Sequence, residues 1–211
     1  MSQVCSCPAA AALTAIPTGN CAESFGQIQK VAFQRLYSAA GAKNKFETAA
    51  GIEKLASWTA LTAALDGTKI VVSPYIEAPT NEAGAAITFG GGNETLGGQQ
   101  RIIGREPSTF SAVIREQGQD VAKALKMLQC EAAAGNLGVF LFNENGQIEA
   151  IQDTTTSTTY YPIPVRTLFV SDKTHGGLDT PDSNIISWTF APNYSDGLKI
   201  VTPEFNPLTD L

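Results

Sequence analysis

The sequence predicts a mainly β (α+β) fold: an antiparallel β-sandwich or barrel with one or two flanking helices. Three observations point there. Short apolar runs rich in Val, Ile and Phe follow one another instead of alternating with helices, which argues against a parallel α/β sheet. Glu144-Asn145-Gly146 separates two such runs, and Asn-Gly in that setting signals a hairpin. Only two stretches are read as helices from apolar residues at three- and four-residue steps. The chain of 211 residues is read as an N-terminal arm over 1–20 and one domain over 21–211, since no repeat or composition break divides the rest.

Taken in order, residues 1–20 combine small residues with Pro8, Pro17 and a Gly19-Asn20 turn signal, as expected of an arm. Phe25–Tyr37 fits either period, and a strand is preferred because Val31, Phe33, Arg35 and Tyr37 alternate. Ile52, Leu55, Trp58, Leu61 and Leu65 form a helical stripe that Asp66-Gly67 stops, with Trp58 in the core. Lys69–Ser73 is a strand ended by Pro74, and a long loop follows to about Gly98. Gln99–Arg105 and Thr109–Arg115 read as strands.

Gly118–Ala134 is the clearest helix, with Val121, Leu125, Leu128 and Ala132 inward, Lys123 and Lys126 outward, and Gly135 as its left-handed terminator. Cys130 is placed on its core side. Leu137–Asn143 and Gln147–Gln152 make the hairpin, and Thr154–Thr159 is a polar loop or edge. Val165–Ser171, Asn184–Phe190, with Trp188 in the core, and Leu198–Thr202 complete the strands. The sum is about eight strands and two helices, an arrangement whose runs of strands favour a sandwich.

The stretch Gly84–Pro107 carries the candidate site. Gly90, Gly91, Gly92, Gly97 and Gly98 crowd one polar turn with Asn93, Glu94 and Leu96, after Gly84 and Phe89. Glycine loses more backbone entropy on folding than any other residue, so such a cluster implies a demand on conformation. A phosphate-binding loop fails on its residues: Gly92 and Gly97 have the Walker separation, but Gly98, Gln99 and Gln100 stand where lysine and its neighbours are needed. A dinucleotide loop fails on context, because a strand and not a helix follows. The remaining reading is an arm that reaches a neighbouring subunit.

Charge and composition agree with a covered surface. Charged residues are 16% of the chain, below the roughly one quarter usual in soluble domains. The net charge of -6 opposes tight nucleic-acid binding and suits a surface that DNA passes without sticking. No apolar run approaches the roughly 20 residues of a membrane span. Ala9–Ile16 has no basic segment before it, so a secretory signal is not expected, and the sequons at Asn93 and Asn193 carry little weight.

Residues for catalysis are sparse. His175 is the sole histidine and lies in a Gly-rich turn without an evident orienting partner. Asp172, Asp179 and Asp182 lack EF-hand spacing, and Glu106 with Arg105 and Arg115 with Glu116 read as strand-end charges. Cys5, Cys7, Cys21 and Cys130 do not form paired C-x-x-C knuckles, so reduced structural thiols are expected, with no metal and no cofactor. Tyr75, Tyr160, Tyr161 and Tyr194 are the loop aromatics a glycan-binding or decoration sandwich would expose.

Several stretches carry a resemblance: Phe25-Gly-Gln-Ile-Gln-Lys-Val-Ala-Phe-Gln-Arg, Leu55-Ala-Ser-Trp-Thr-Ala-Leu, Lys69-Ile-Val-Val-Ser-Pro, Phe89-Gly-Gly-Gly-Asn-Glu-Thr-Leu-Gly-Gly, Gly104-Arg-Glu-Pro, Val121–Cys130 before Leu137-Gly-Val-Phe-Leu, Gly176-Gly-Leu-Asp-Thr-Pro and Leu198-Lys-Ile-Val-Thr-Pro. From about Cys21 onward the chain resembles the tail-tube-like and tail ring structural proteins of tailed bacteriophages, including those of Bacteroidota-infecting, crAss-like phages. The resemblance implies a β-sandwich with a flanking helix, assembled as rings of six or twelve copies. It further implies contact with other tail or portal-proximal proteins, a lumen through which DNA passes without specific binding, no enzyme activity, and residence in the virion tail after assembly in the host cytoplasm.

Overall fold

A computed structural model describes Ile16, residues 24–39 and residues 41–211. The 1–20 arm, Cys5, Cys7 and Cys21 lie outside the described residues, Ile16 apart. Two compact units emerge among the described residues: Phe25–Ala83 with Pro107–Leu211, and Gly84–Glu106. The molecule is mainly β, with antiparallel sheets and three α-helices.

Two strands form the spine of the larger unit. β1 (Ile28–Arg35) pairs antiparallel with Leu137–Asn143, which lies between Asn136 and Glu144 and is buried along its whole length. On β1, Val31 and Phe33 enter one core while Ala32 enters another, so the strand is covered on both faces, as are central strands generally. This settles the ambiguity of Phe25–Tyr37 in favour of a strand.

The helical stripe after β1 is interrupted. It forms α1 (Ala49–Glu53) and α2 (Leu55–Ala63), with Lys54 extended between them. The break frees two carbonyls: Ile52 O accepts the Trp58 indole N–H at 2.8 Å, and Glu53 O accepts Glu204 N–H at 2.9 Å. Tertiary partners thereby replace the helical ones. Leu65, expected in the stripe, lies beyond the end of α2 and is 97% exposed.

β2 (Ile70–Val72) pairs with β1, and β3 (Glu77–Glu82) lies at the end of the sheet path. β3 corrects the expectation of a continuous loop from Pro74 to Gly98. Its sequence, EAPTNE, has no apolar alternation because it is an exposed edge. Pro79 sits at a register shift between Glu77 and Thr80, where its missing N–H is tolerated. β4 (Ala86–Phe89) and β5 (Arg101–Arg105) belong to the smaller unit.

Next come β6 (Ser108–Arg115) and α3 (Gln119–Ala133). α3 buries Leu125 and Ala132, with Val121 and Leu128 packed partly beside them. Cys130, expected on the core side, is exposed. It is five residues past Leu125 and two past Leu128, and at 100° per residue both separations turn it away from the apolar face.

β7 (Leu137–Asn143) and β8 (Ile148–Gln152) form the expected hairpin. Its turn is longer than two residues: Asn143 Oδ1 accepts the Asn145 and Gln147 N–H groups, and only Gly146 of the Asn-Gly pair takes a positive φ, 73°. β9 (Tyr160–Tyr161) pairs with β8 at the sheet margin, followed by β10 (Ile163–Val170), β11 (Ser183–Phe190) and β12 (Leu198–Val201).

The edge of β7 away from β1 is shared. Leu137–Val139 pair with β10, whereas Leu141 and Phe142 pair with β8. From this fork β8 and β12 run one way, and β10, β11, β6 and β3 the other. Val31, Phe33, Phe110, Val139, Val165 and Trp188 belong to the first core. The opposite face of β1 and β7 packs with α1, α2 and the C-terminal segment around Trp58, Phe140 and Phe142.

That segment is tied down by a buried cation. Lys30 is only 8% exposed, and its Nζ donates to the main-chain oxygens of Leu208 (2.8 Å) and Leu211 (3.0 Å) beneath the Tyr75 ring. Burial lowers the Lys30 pKa, and carbonyl dipoles together with the ring face take the place of water around the ammonium.

Candidate functional site

The glycine-rich arm is a hairpin with a constructed tip. Ala86 pairs with Arg105, Ile87 with Gly104, Thr88 with Ile102 and Phe89 with Arg101, with a register shift between Ile87 and Thr88. The sequence signal was present on both sides of the turn, since Ala-Ile-Thr-Phe and Arg-Ile-Ile-Gly-Arg are two β-prone runs. The intervening eleven residues exceed ordinary hairpin loops, which hid the pairing.

Within the tip all five glycines have positive φ: Gly90 85°, Gly91 118°, Gly92 56°, Gly97 75° and Gly98 68°. Thr95 is the hub. Its Oγ1 accepts Gly91 N–H (3.2 Å) and donates to Gln99 O (2.8 Å), and its carbonyl accepts Gly98 N–H (2.9 Å). A Cβ on Gly90 would lie 2.2 Å from Thr95 Cγ2, so this position demands glycine for space as well as for φ. Asn93 and Glu94 lie in a 3-10 turn, Gly92–Glu94, and Leu96–Gly98 form a second. The cluster thus builds a defined shape, and the picture of a long structureless loop is replaced by a tip held by its own hydrogen bonds.

The arm exposes apolar side chains on both strands: Ile87 42%, Phe89 55%, Ile102 75% and Ile103 48%. A lone two-stranded hairpin is marginal in water, and adjacent exposed apolar residues mark surfaces that meet a partner. Glu94 is exposed at the tip. Among the expected arm residues, Phe89, Gly90–Glu94, Gly97 and Gly98 fall together on this hairpin, with Gly84 at its foot. Leu96 belongs to the second 3-10 turn.

Titratable groups of the larger unit are arranged as loop ties. His175 is 81% exposed, and its Nδ1 lies 3.1 Å from Asp182 Oδ2. Asp182 also accepts Gly176 N–H at 3.3 Å and sits 3.9 Å from Lys173 Nζ. The His175 hydrogen bond, then the Gly176 one, hold the Asp182 carboxyl below its ordinary pKa. Asp172 pairs with Lys126. Among the described residues, no group of three His, Cys, Asp or Glu side chains is placed to hold a metal.

The four tyrosines are each engaged. Tyr75 donates to Leu208 O, Tyr161 donates to Asp153, and Tyr194 stacks on Phe190 with centroids 4.4 Å apart. Tyr160 is buried in β9. No described helix is long and apolar enough to cross a membrane.

Glu149 was not singled out by the sequence. It lies on β8 opposite Leu141 of β7 and Ile200 of β12, and burial pushes its pKa up to about 7. A carboxyl whose folded pKa exceeds its unfolded value binds more protons when folded. Its contribution is therefore present below about 4.5 and lost as pH rises through about 7. With its partial exposure discounted, the loss is about 1–2 kcal/mol. Glu149→Gln is expected to remove this part of the difference in urea-unfolding free energy between pH 5 and pH 8. An unchanged difference would show that Glu149 is well solvated.

No protein-family model matches the chain, and no curated protein matches it. Among solved structures, a chain of the tail of an empty GTA particle, computed with helical refinement and C6 symmetry, aligns with 59% of this chain and 80% of its own length. The identity is 11% and the TM-score 0.32.

Proposed function

We propose that the chain is a virion structural subunit of a phage tail, forming a ring or tube through which the genome is ejected, of the kind carried by Bacteroidota-infecting, crAss-like phages. The observation that carries this reading is the arm: a shaped glycine tip on a hairpin whose Ile87, Phe89, Ile102 and Ile103 are exposed. Such a hairpin gains stability by meeting a surface, and a surface present on every copy makes the contact head-to-tail. Repeated contacts of that kind close into rings or extend into tubes.

The sequence resemblance and the low charge content support the same reading. In this role the subunit is not an enzyme and needs no cofactor. Its partners are copies of itself in rings of six or twelve, and other tail or portal-proximal proteins. Its net charge of -6 lets DNA pass without being held. The subunit is assembled in the host cytoplasm and resides in the virion tail. Sedimentation velocity over a hundredfold concentration range is the test: discrete growth from single chains to multimers is expected, and a single-chain species throughout would contradict the proposal.

A further inference from the structure

The larger unit carries a groove of about 160 Å³ walled by Leu36, Tyr37, Ile151, Tyr161, Pro162 and Pro164. Two of its polar side chains are already engaged. The Asn44 amide donates to Arg35 O and Gly67 O, both at 2.8 Å, and the Tyr161 hydroxyl donates to Asp153 Oδ2 at 3.1 Å. Lys43 lines the same groove, its backbone bridged to that of Tyr37. Its Nζ stands 5.5 Å from the Tyr161 ring centroid, and among the described residues no carboxylate lies within 4.0 Å. Lys45, two residues on, is paired with Glu47 at 3.4 Å. The groove therefore offers apolar walls and one ammonium that has a ring face but no carboxylate beside it among the described residues.

The chemistry that complements it is a segment with a single carboxylate and an apolar side chain beside it. The tip and the strand before it meet that description in charge: from Gly84 to Gln100, Glu94 is the sole charged residue, and Phe89 is exposed at the base of the tip. Among the described residues no cation lies within 4.0 Å of Glu94. We propose that the arm tip of one copy docks at this groove of the next, with the Glu94 carboxylate against the Lys43 ammonium. The inference rests on the tail-subunit reading and names the surface on which its arm lands. Opposite charges at the rim fix register and partner choice, and like charges in that place oppose association.

Charge reversal tests it. Lys43→Glu makes groove and arm both negative, and Glu94→Lys makes both positive. Each variant is expected to melt like the wild type, since both side chains are exposed. Each is also expected to need about tenfold or more protein to reach half assembly. Mixed in equal amounts the two variants are complementary in alternation, because each one's arm meets the other's groove with opposite charge. The mixture is expected to regain wild-type assembly, which pairing within one chain would not produce. Wild-type assembly by either variant alone, or a mixture that recovers nothing, would overturn the docking site. If removing the tip abolishes assembly while the reversals do not, the arm reading stands and only the landing site is wrong. A wild-type chain that stays single at every concentration overturns both.

Discussion

Deleting Gly90–Gly98 is expected to leave a chain that folds as the wild type does and does not assemble. The segment makes its own hydrogen bonds around Thr95 and belongs to the smaller unit, so its removal takes nothing from the Val31–Trp188 core or the Trp58–Phe140 core. Phe89 and Arg101 already face each other across the strands, and Gln99-Gln100 would remain to join them. Far-ultraviolet circular dichroism and the unfolding midpoint should match the wild type, while size-exclusion chromatography should give single chains. Multimers like those of the wild type would remove the arm from the assembly mechanism.

Trp58→Ala is expected to have the largest effect on the fold itself. The Trp58 ring is fully buried with its centroid 4.9 Å from Phe46, 5.2 Å from Phe140 and 5.5 Å from Phe142. Truncation empties the middle of this aromatic cluster, at a cost of about 3–5 kcal/mol. It also strips Ile52 O of its indole donor at the break between α1 and α2. Against a typical total of about 5–15 kcal/mol, that is enough to populate unfolded chains at equilibrium. Urea unfolding reads the loss directly. A change below about 1 kcal/mol would mean that the second core is not a stability determinant. Trp58→Phe, which keeps most of the ring, should lose much less.

What the sequence made legible follows from how each element is stabilised. β1, β7, β8, β10 and β11 announce themselves because burial demands apolar residues in strand order, and α3 because one face meets the core. β3 was hidden for the opposite reason: it lies at an exposed edge, where pairing supplies the order and no apolar alternation is required. β4 carries the β-prone run Ala-Ile-Thr-Phe, and the length of the tip between it and β5 concealed its pairing. The break at Lys54 was invisible because it depends on the Trp58 indole and Glu204 claiming helical carbonyls, and these are tertiary events.

The candidate site divides in the same way. The glycines pointed to the arm, since positive φ at five positions leaves a mark in composition. The Lys43 groove did not show, because its walls come from distant segments, Leu36–Tyr37, Ile151 and Tyr161–Pro164. The buried Lys30 was equally hidden. Its acceptors are main-chain oxygens 178 and 181 residues away, and main-chain acceptors have no sequence signature.

The central claim is that copies of this chain assemble through the arm into a ring or tube. Negative-stain electron microscopy of the purified wild-type protein at high concentration tests it most directly. Closed rings or stacked tubes with a central lumen are the predicted result, and a field of lone particles would contradict the account.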